Sequence, residues 1–248
     1  MYAELPLRYK YAYHLSVPVF KCLERQNIKQ IRSLSRSFIA NSKFCASMYT
    51  KRGVYVNGII YPPLDCTLFK PTTEKPSADY VLTYFGVMGK ETKFPVTKRM
   101  ADAGLKIKAF GCKADWVPAE IAEHRNIDFL GKVTDKELAD LYSNALFTLF
   151  TFTHEPFGYI PVESMACGTP VLTYNRQGPS ESVADGITGW LAENDQQLLN
   201  LGLRFWKHGY PRQIRQQCRR QSSFCDSRSI AKKWSEVITR FSKQPHKA

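Results

Sequence analysis

The sequence predicts an α/β fold built on a parallel sheet. Three observations carry that prediction. From Tyr80 onward, short apolar runs alternate with helical stretches. Three of the runs end at a glycine: Gly86, Gly111 and Gly131. The run Leu146 to Phe152 is almost continuously apolar, as expected of a strand buried on both faces. The chain has 248 residues, 44% hydrophobic and 23% charged, which suits a packed core and argues against wholesale disorder.

Each element has a local reason. Val19 to about Leu34 reads as a helix, in which Phe20 and Leu23 fall on one face, as do Ile28, Ile31 and Leu34, with basic residues interspersed. Ser37 to Ala40 reads as a short buried strand, and Asn41-Ser42 as the cap of a helix over 43–51. Residues 53–56 and 59–61 look extended, and Pro62-Pro63 opens a linker over 61–78. Strands follow at 80–85, 105–110 and 127–130, with helices at 95–103 and 135–143. After the run 146–152 come a helix from Ile160 to Cys167, stopped by Gly168, and a strand from Val171 to Tyr174. Helical stretches near 195–207 and 226–242 close the chain. The domain division expected is 1–60, a partial N-terminal domain; 61–78, a linker; 79–225, the sheet domain; and 226–248, a last helix returning to the N-terminal part.

Composition excludes several classes. No run of about 18 apolar residues is present, so no transmembrane helix is expected, and nothing at the start resembles a secretory signal. The seven cysteines are irregularly spaced and form no CxxC pair, which argues against a zinc site and a disulfide framework and for reduced thiols in the cytoplasm. Net charge is +13, unevenly placed: residues 1–60 carry +8, 201–240 carry +8 and 61–200 carry −5. Basic ends suit an anionic membrane surface, a phosphate-rich ligand or nucleic acid, or simply a solvated face. Nucleic acid ranks last, because no aromatic residues are interleaved with the basic runs as stacking platforms.

The richest window is Glu155 to Val171, where a buried strand ends and a helix starts. Gly158 permits close approach of the backbone to a ligand. Pro161 fits a first helical turn, where its missing N–H costs nothing. The free N–H groups of that turn, with the helix dipole, favour a phosphate. Glu155 and Glu163 flank this turn, and a carboxylate there can accept two hydroxyls of a ribose or sugar ring.

The pattern of Glu155, Phe157, Gly158, Glu163, Met165, Ala166, Gly168, Pro170 and Val171 resembles the E-x7-E signature of retaining GT-B glycosyltransferases, the family 4-like group 1 that includes sucrose, glycogen and lipid mannosyl transferases. Other segments fall in family order: Asn41-Ser42, Ile60 to Asp65, Phe129 to Asp135, and Gly178 to Leu191, the last resembling a family hairpin. The resemblance covers residues 37 to 242. It implies a GT-B-type fold with one complete Rossmann-like donor-binding domain and the remnant of an N-terminal one.

By that resemblance Glu163 binds the donor ribose and Glu155 the transferred sugar. The amides of Phe157, Gly158 and Tyr159 hold the diphosphate and sugar. The loop containing Val133 and Asp135 holds the base, and Gly86 ends the first strand beside the donor. Lys93 matches a family lysine that neutralises the leaving diphosphate, while Val87 stands where an arginine is usual and Lys90 offers partial compensation. The implied partners are a nucleotide-sugar donor, as substrate and without a metal, and a glycan or lipid-linked acceptor at the cytoplasmic face of a membrane. The short N-terminal part implies weak transfer by this chain alone. A second reading is a nucleotide-sugar-binding protein without transfer, or one half of a split enzyme whose other half is a separate chain.

Overall fold

The computed structural model describes residues 7–35, 37–86, 93–111, 117–152 and 154–242, the side chains of residues 7–10 and 12 excepted. Val87 and Lys90 lie outside the described residues.

The chain opens with α1 (Leu7–Leu34), β1 (Ile39–Ala40), α2 (Lys43–Thr50) and β2 (Gly58–Ile59). Strands β1 and β2 form a separate parallel pair. Ser42 caps α2, its hydroxyl accepting from the Cys45 N–H at 3.0 Å. Helix α1 starts at Leu7 and carries Pro18 inside it, twelve residues earlier than the periodicity at Val19 indicates. Residues 54–57 form neither helix nor strand.

The sheet domain holds β3 (Val81–Phe85), α3 (Phe94–Asp102), β4 (Ile107–Gly111), α4 (Ala119–Ala122), β5 (Ile127–Gly131), α5 (Asp135–Asn144), β6 (Phe147–Phe150), α6 (Tyr159–Ala166), β7 (Val171–Tyr174), α7 (Pro179–Ser182), β8 (Gly189–Ala192), α8 (Asp195–His208) and α9 (Gln213–Ser222). Its six strands run in the order β5-β4-β3-β6-β7-β8, all parallel. The order steps outward from β3 to β5, then reverses and runs from β6 to β8. The crevice between β3 and β6 is therefore the topological switch point, where such sheets bind ligands. The hairpin implied over 178–191 is not formed. α7 intervenes, and β8 joins the edge parallel to β7, because a turn and a helix together give enough chain for a crossover.

Local chemistry supports these elements. Thr134 and Glu137 form a reciprocal capping box at α5, and the Asn194 side chain caps α8. All four residues of β6 and of β7 are buried. Helices α3, α4 and α8 associate with one another, as do α5, α6 and α9. The two sets sandwich the sheet, and this explains why strands such as β6 lack polar–apolar alternation. Gly202 on α8 lies so close to Met100 of α3 that an added Cβ would fall 2.7 Å from its terminal methyl. Helix α9 has no counterpart among the sequence-based elements. Its run Gln213 to Ser222 is strongly polar, but Ile214 and Cys218 on one face are buried.

After a short 3-10 turn, Ser223–Cys225, the last helix α10 (Ser227–Ser242) leaves the sheet domain. Leu64 is stitched to this junction, donating to Cys225 O and accepting from the Ser227 N–H. Residues of α10, including Lys233, Val237 and Phe241, then share a cleft with Ile39, Gly58 and Ile60 of the N-terminal segment. The described cysteines are free thiols. Among the described residues, no helix is long and apolar enough to cross a membrane.

Candidate active site

Strand β6 delivers the chain to the crevice, and residues 151–158 turn it into α6. Gly158 stands at the helix N-cap with φ 88°, ψ 90°, in the region that favours glycine. A Cβ there would lie 3.2 Å from Pro179 and 3.4 Å from Glu155. No side chain caps the first turn of α6. Its N–H groups and the positive end of its dipole are thus directed to the sheet edge, the arrangement that binds a phosphate.

A cleft of about 300 Å³ opens beside this turn, lined by Tyr84, Phe110, Leu138, Phe150, Phe152, Glu155, Gly158, Tyr159, Ile160 and Glu163. The two carboxylates, Gly158 and Tyr159, singled out in the sequence, come together here. Its apolar wall is the aromatic set at the ends of the central strands. The Tyr84 ring lies 5.1 Å from Phe110 and 5.5 Å from Phe152, and it also covers Gly86. A larger hollow of about 890 Å³ lies between α1 and α2. It is mostly apolar and contains none of the predicted site residues, so the chemistry belongs to the smaller cleft.

The Glu163 carboxylate accepts from the Tyr142 hydroxyl at 3.0 Å. Burial pushes the Glu163 carboxyl up to about 7, against the lowering effect of the Tyr142 hydrogen bond, and the Asp135 charge adds to the rise. Tyr142 is fully buried, and burial followed by the Glu163 charge holds its phenol well above the ordinary range. Glu155 is fixed through its backbone: its N–H donates to Gln177 Oε1 at 2.7 Å, and its carbonyl accepts from the Gly178 N–H at 3.1 Å.

The other predicted site residues sit around this centre. Phe157 is buried, its ring 5.8 Å from Tyr61 and 5.6 Å from Tyr159, so its side chain packs while its amide remains at the turn. Asp135 opens α5 and acts on Glu163 at a distance, through charge. Val133 packs half-buried against the core. Lys93 stands at the N-cap of α3, and its carbonyl accepts from the Thr97 N–H at 3.2 Å. Neither Val133, Asp135, Gly86 nor Lys93 lines the cleft. Among the described residues, no cluster of His, Cys, Asp or Glu side chains is arranged to hold a metal ion.

Sequence reasoning missed Tyr142, Gln177 and Tyr84. Tyr142 had one available signal, a tyrosine on the face of α5 that also carries Leu138, but its partner lies 21 residues away on another helix.

A six-stranded parallel sheet with an uncapped helix N-terminus and two carboxylates at its switch point defines a doubly wound α/β protein whose ligand crevice lies at that point. Comparison with known proteins narrows that class. Residues 119–222 match the family model described as glycosyl transferases group 1. Alpha-1,3/1,6-mannosyltransferase alg2 of Schizosaccharomyces pombe is 36% identical over 86 residues, covering 35% of this chain and 17% of that protein. The mouse protein of the same description is 37% identical over 71 residues, 29% of this chain and 17% of its own length. The matched stretch thus spans about a sixth of these relatives. Among solved structures, Anabaena Alr3699/HepE in complex with UDP superposes with TM-score 0.76 at 20% identity, covering 87% of this chain and 68% of that one. Sucrose-phosphate synthase of Thermosynechococcus elongatus gives 0.70 at 20% identity, over 89% and 61%. Over residues 119–222 the chain is thus similar to the group 1 glycosyl transferases, and its fold is of the GT-B type.

Proposed function

We propose that this chain supplies the donor side of a glycosyltransferase that moves a sugar from a nucleoside diphosphate sugar to a glycan or lipid-linked acceptor, with retention of configuration. The carrying observation is the uncapped α6 N-terminus behind Gly158, flanked by Glu155 and Glu163 in one cleft. Glu163, ionised, accepts from the ribose hydroxyls. The α6 amides hold the diphosphate and stabilise the charge that develops on it as the glycosidic bond breaks. Glu155 faces the sugar. The acceptor hydroxyl attacks from the side the diphosphate leaves, and its proton passes to a phosphate oxygen of the leaving group. Lys93, at the head of α3, adds positive charge toward the same diphosphate. Support comes from HepE, solved with UDP-glucose, and from the mannosyltransferase relatives.

Titration calorimetry with UDP, GDP and their glucose and mannose conjugates tests this proposal. Micromolar binding of at least one conjugate, lost in Glu163→Ala, is the expected result. A well-folded chain that binds none of them refutes it.

The acceptor side of the proposal includes an anionic membrane surface at the cytoplasmic face. Helix α1 exposes Leu15 and Phe20 among Lys21, Arg25 and Lys29, and α10 exposes Trp234 and Ile238 among Lys232, Lys233 and Arg240. Exposed apolar residues interleaved with cations suit the interface of an anionic bilayer.

A further inference from the structure

Glu181 on α7 is 138 positions from Lys43, and the fold brings the two together. Its Oε2 accepts from the Lys43 N–H at 2.8 Å, and its Oε1 accepts from the Phe44 N–H. The carboxylate therefore straddles the first turn of α2, where the helix dipole favours negative charge. Oε2 also faces the Tyr61 hydroxyl at 3.3 Å. Burial, and after it the Glu181 charge, pushes that phenol up to about 12, so Tyr61 remains a donor across the physiological range.

The same short stretch grips the candidate active site. Gln177 and Gly178 hold the N–H and the carbonyl of Glu155. A Cβ on Gly178 would fall 2.3 Å from Pro156 O, so the backbones touch there. Pro179 backs Gly158. The Tyr61 ring, whose hydroxyl reaches Glu181, packs on Phe157 at 5.8 Å and on Phe224 at 5.0 Å. Two routes thus run from Glu181 to the turn at 155–158, one through α7 and one through Tyr61.

We propose that Glu181 is a positioning residue that fastens the N-terminal segment to the donor turn, so that the seating of α2 and the geometry of residues 155–158 are set together. Glu181 lines no part of the cleft and does not touch the donor. Its carboxylate ties α2, the linker residue Tyr61 and α7 into one body, and the phosphate-binding turn is held from both sides of that body. The role toward the donor rests on the function proposed above. The mechanical coupling does not.

The test is Glu181→Gln, which keeps shape and removes charge, with Tyr61→Phe as a second variant that opens only the Tyr61 route. Amide hydrogen exchange and UDP affinity are measured on the full chain. The expected result for Glu181→Gln is faster exchange at Lys43 and Phe44, faster exchange also at Glu155 and Gly178, and UDP binding weakened about threefold to tenfold. Tyr61→Phe is expected to shift the same quantities in the same direction by less. A purely local cap gives faster exchange at Lys43 and Phe44 alone, and that result overturns the proposal. Unchanged UDP affinity in a chain whose parent binds UDP also overturns it. If the parent does not bind UDP, the donor reading fails, and the exchange pattern at Glu155 and Gly178 alone decides the coupling.

Discussion

The N-terminal segment and the sheet domain differ in how their apolar residues are used. In the sheet domain, β3, β6 and β7 bury nearly every side chain, and Leu82, Phe147, Leu149 and Leu172 are fully enclosed. Before residue 61, buried apolar side chains are few among the described residues: Ala40, Val54 and Ile60. Helix α2 buries none of its residues, and in α1 Leu15 and Leu34 are each 79% exposed. The sheet domain has the layers it needs to close a core. The N-terminal segment has a two-strand sheet with residues on each strand too few to cover a helix. Its order is borrowed from contacts with later parts of the chain: Glu181 of α7 at the first turn of α2, and α10 beside β1 and β2.

The largest expected effect tests that difference directly. Leu172→Ala in β7 should cost about 2–5 kcal/mol by urea unfolding, because a buried strand leaves a cavity behind. Phe20→Ala on α1 should stay within about 0.5 kcal/mol, since the ring is already in solvent. Equal losses at the two positions would erase the contrast between the regions.

Within the sheet domain, Glu163→Gln should weaken nucleotide binding by about 1–3 kcal/mol, as one oxygen of the ribose acceptor becomes a donor. Glu163 also sets a pH dependence. Its carboxyl is raised from 4.5 to about 7 by burial, so the ionised acceptor form accumulates only as pH passes through 7. Affinity for UDP-glucose, whose phosphates do not titrate there, should therefore rise between pH 6 and pH 8. The contribution of Glu163 to the unliganded fold runs the other way: the native state favours the neutral form, so stability falls as pH climbs from 4.5 to about 7. Tyr142→Phe removes the hydrogen bond that opposes the rise, and the affinity midpoint should move to higher pH. A flat affinity profile in the parent protein would remove Glu163 from the donor site.

The effect smallest per site concerns the basic surface of α10. Replacing Lys232, Lys233 and Arg240 by Glu should reduce sedimentation with anionic vesicles by up to about 1 kcal/mol per site, with no change on neutral vesicles and little at high salt. Arg215 is unsuitable for this test although it lies in the basic C-terminal stretch, because its guanidinium donates to the Ser143 carbonyl at the end of α5. Its replacement would loosen α9 from the end of α5. Equal binding to both vesicle types would leave the basic helices as a solvated face.

Much of the sheet domain was legible in the sequence because its signals are local. Apolar runs that end at Gly86, Gly111 and Gly131 mark strands, Thr134 and Glu137 mark a helix start, and Gly158 with Pro161 marks the turn that opens α6. The spacing of Glu155 and Glu163 across one turn and one helix brings them to the same cleft for the same reason. Where the signal was ambiguous, the reading failed. The stretch 178–191 has hairpin-like turn residues at both ends, but β8 needs a partner on its own side of the sheet, and the open edge there belongs to β7. Helix α9 is strongly polar and offers only Ile214 and Cys218 as apolar residues at helical spacing, and these are the positions it buries as it packs against α6.

By itself the sequence determined the alternation of the main strands and helices, the buried central strands and the glycine-hinged turn with its two carboxylates, since all of these depend on residues near one another in the chain. Only the tertiary structure decided which groups surround those carboxylates. Tyr142 meets Glu163 across 21 residues, Gln177 holds Glu155 across 22, and Glu181 caps α2 across 138. Such contacts follow from which helices pack together. The charge state of Glu163 follows from how deeply that packing buries it, a quantity no pattern of neighbouring letters contains.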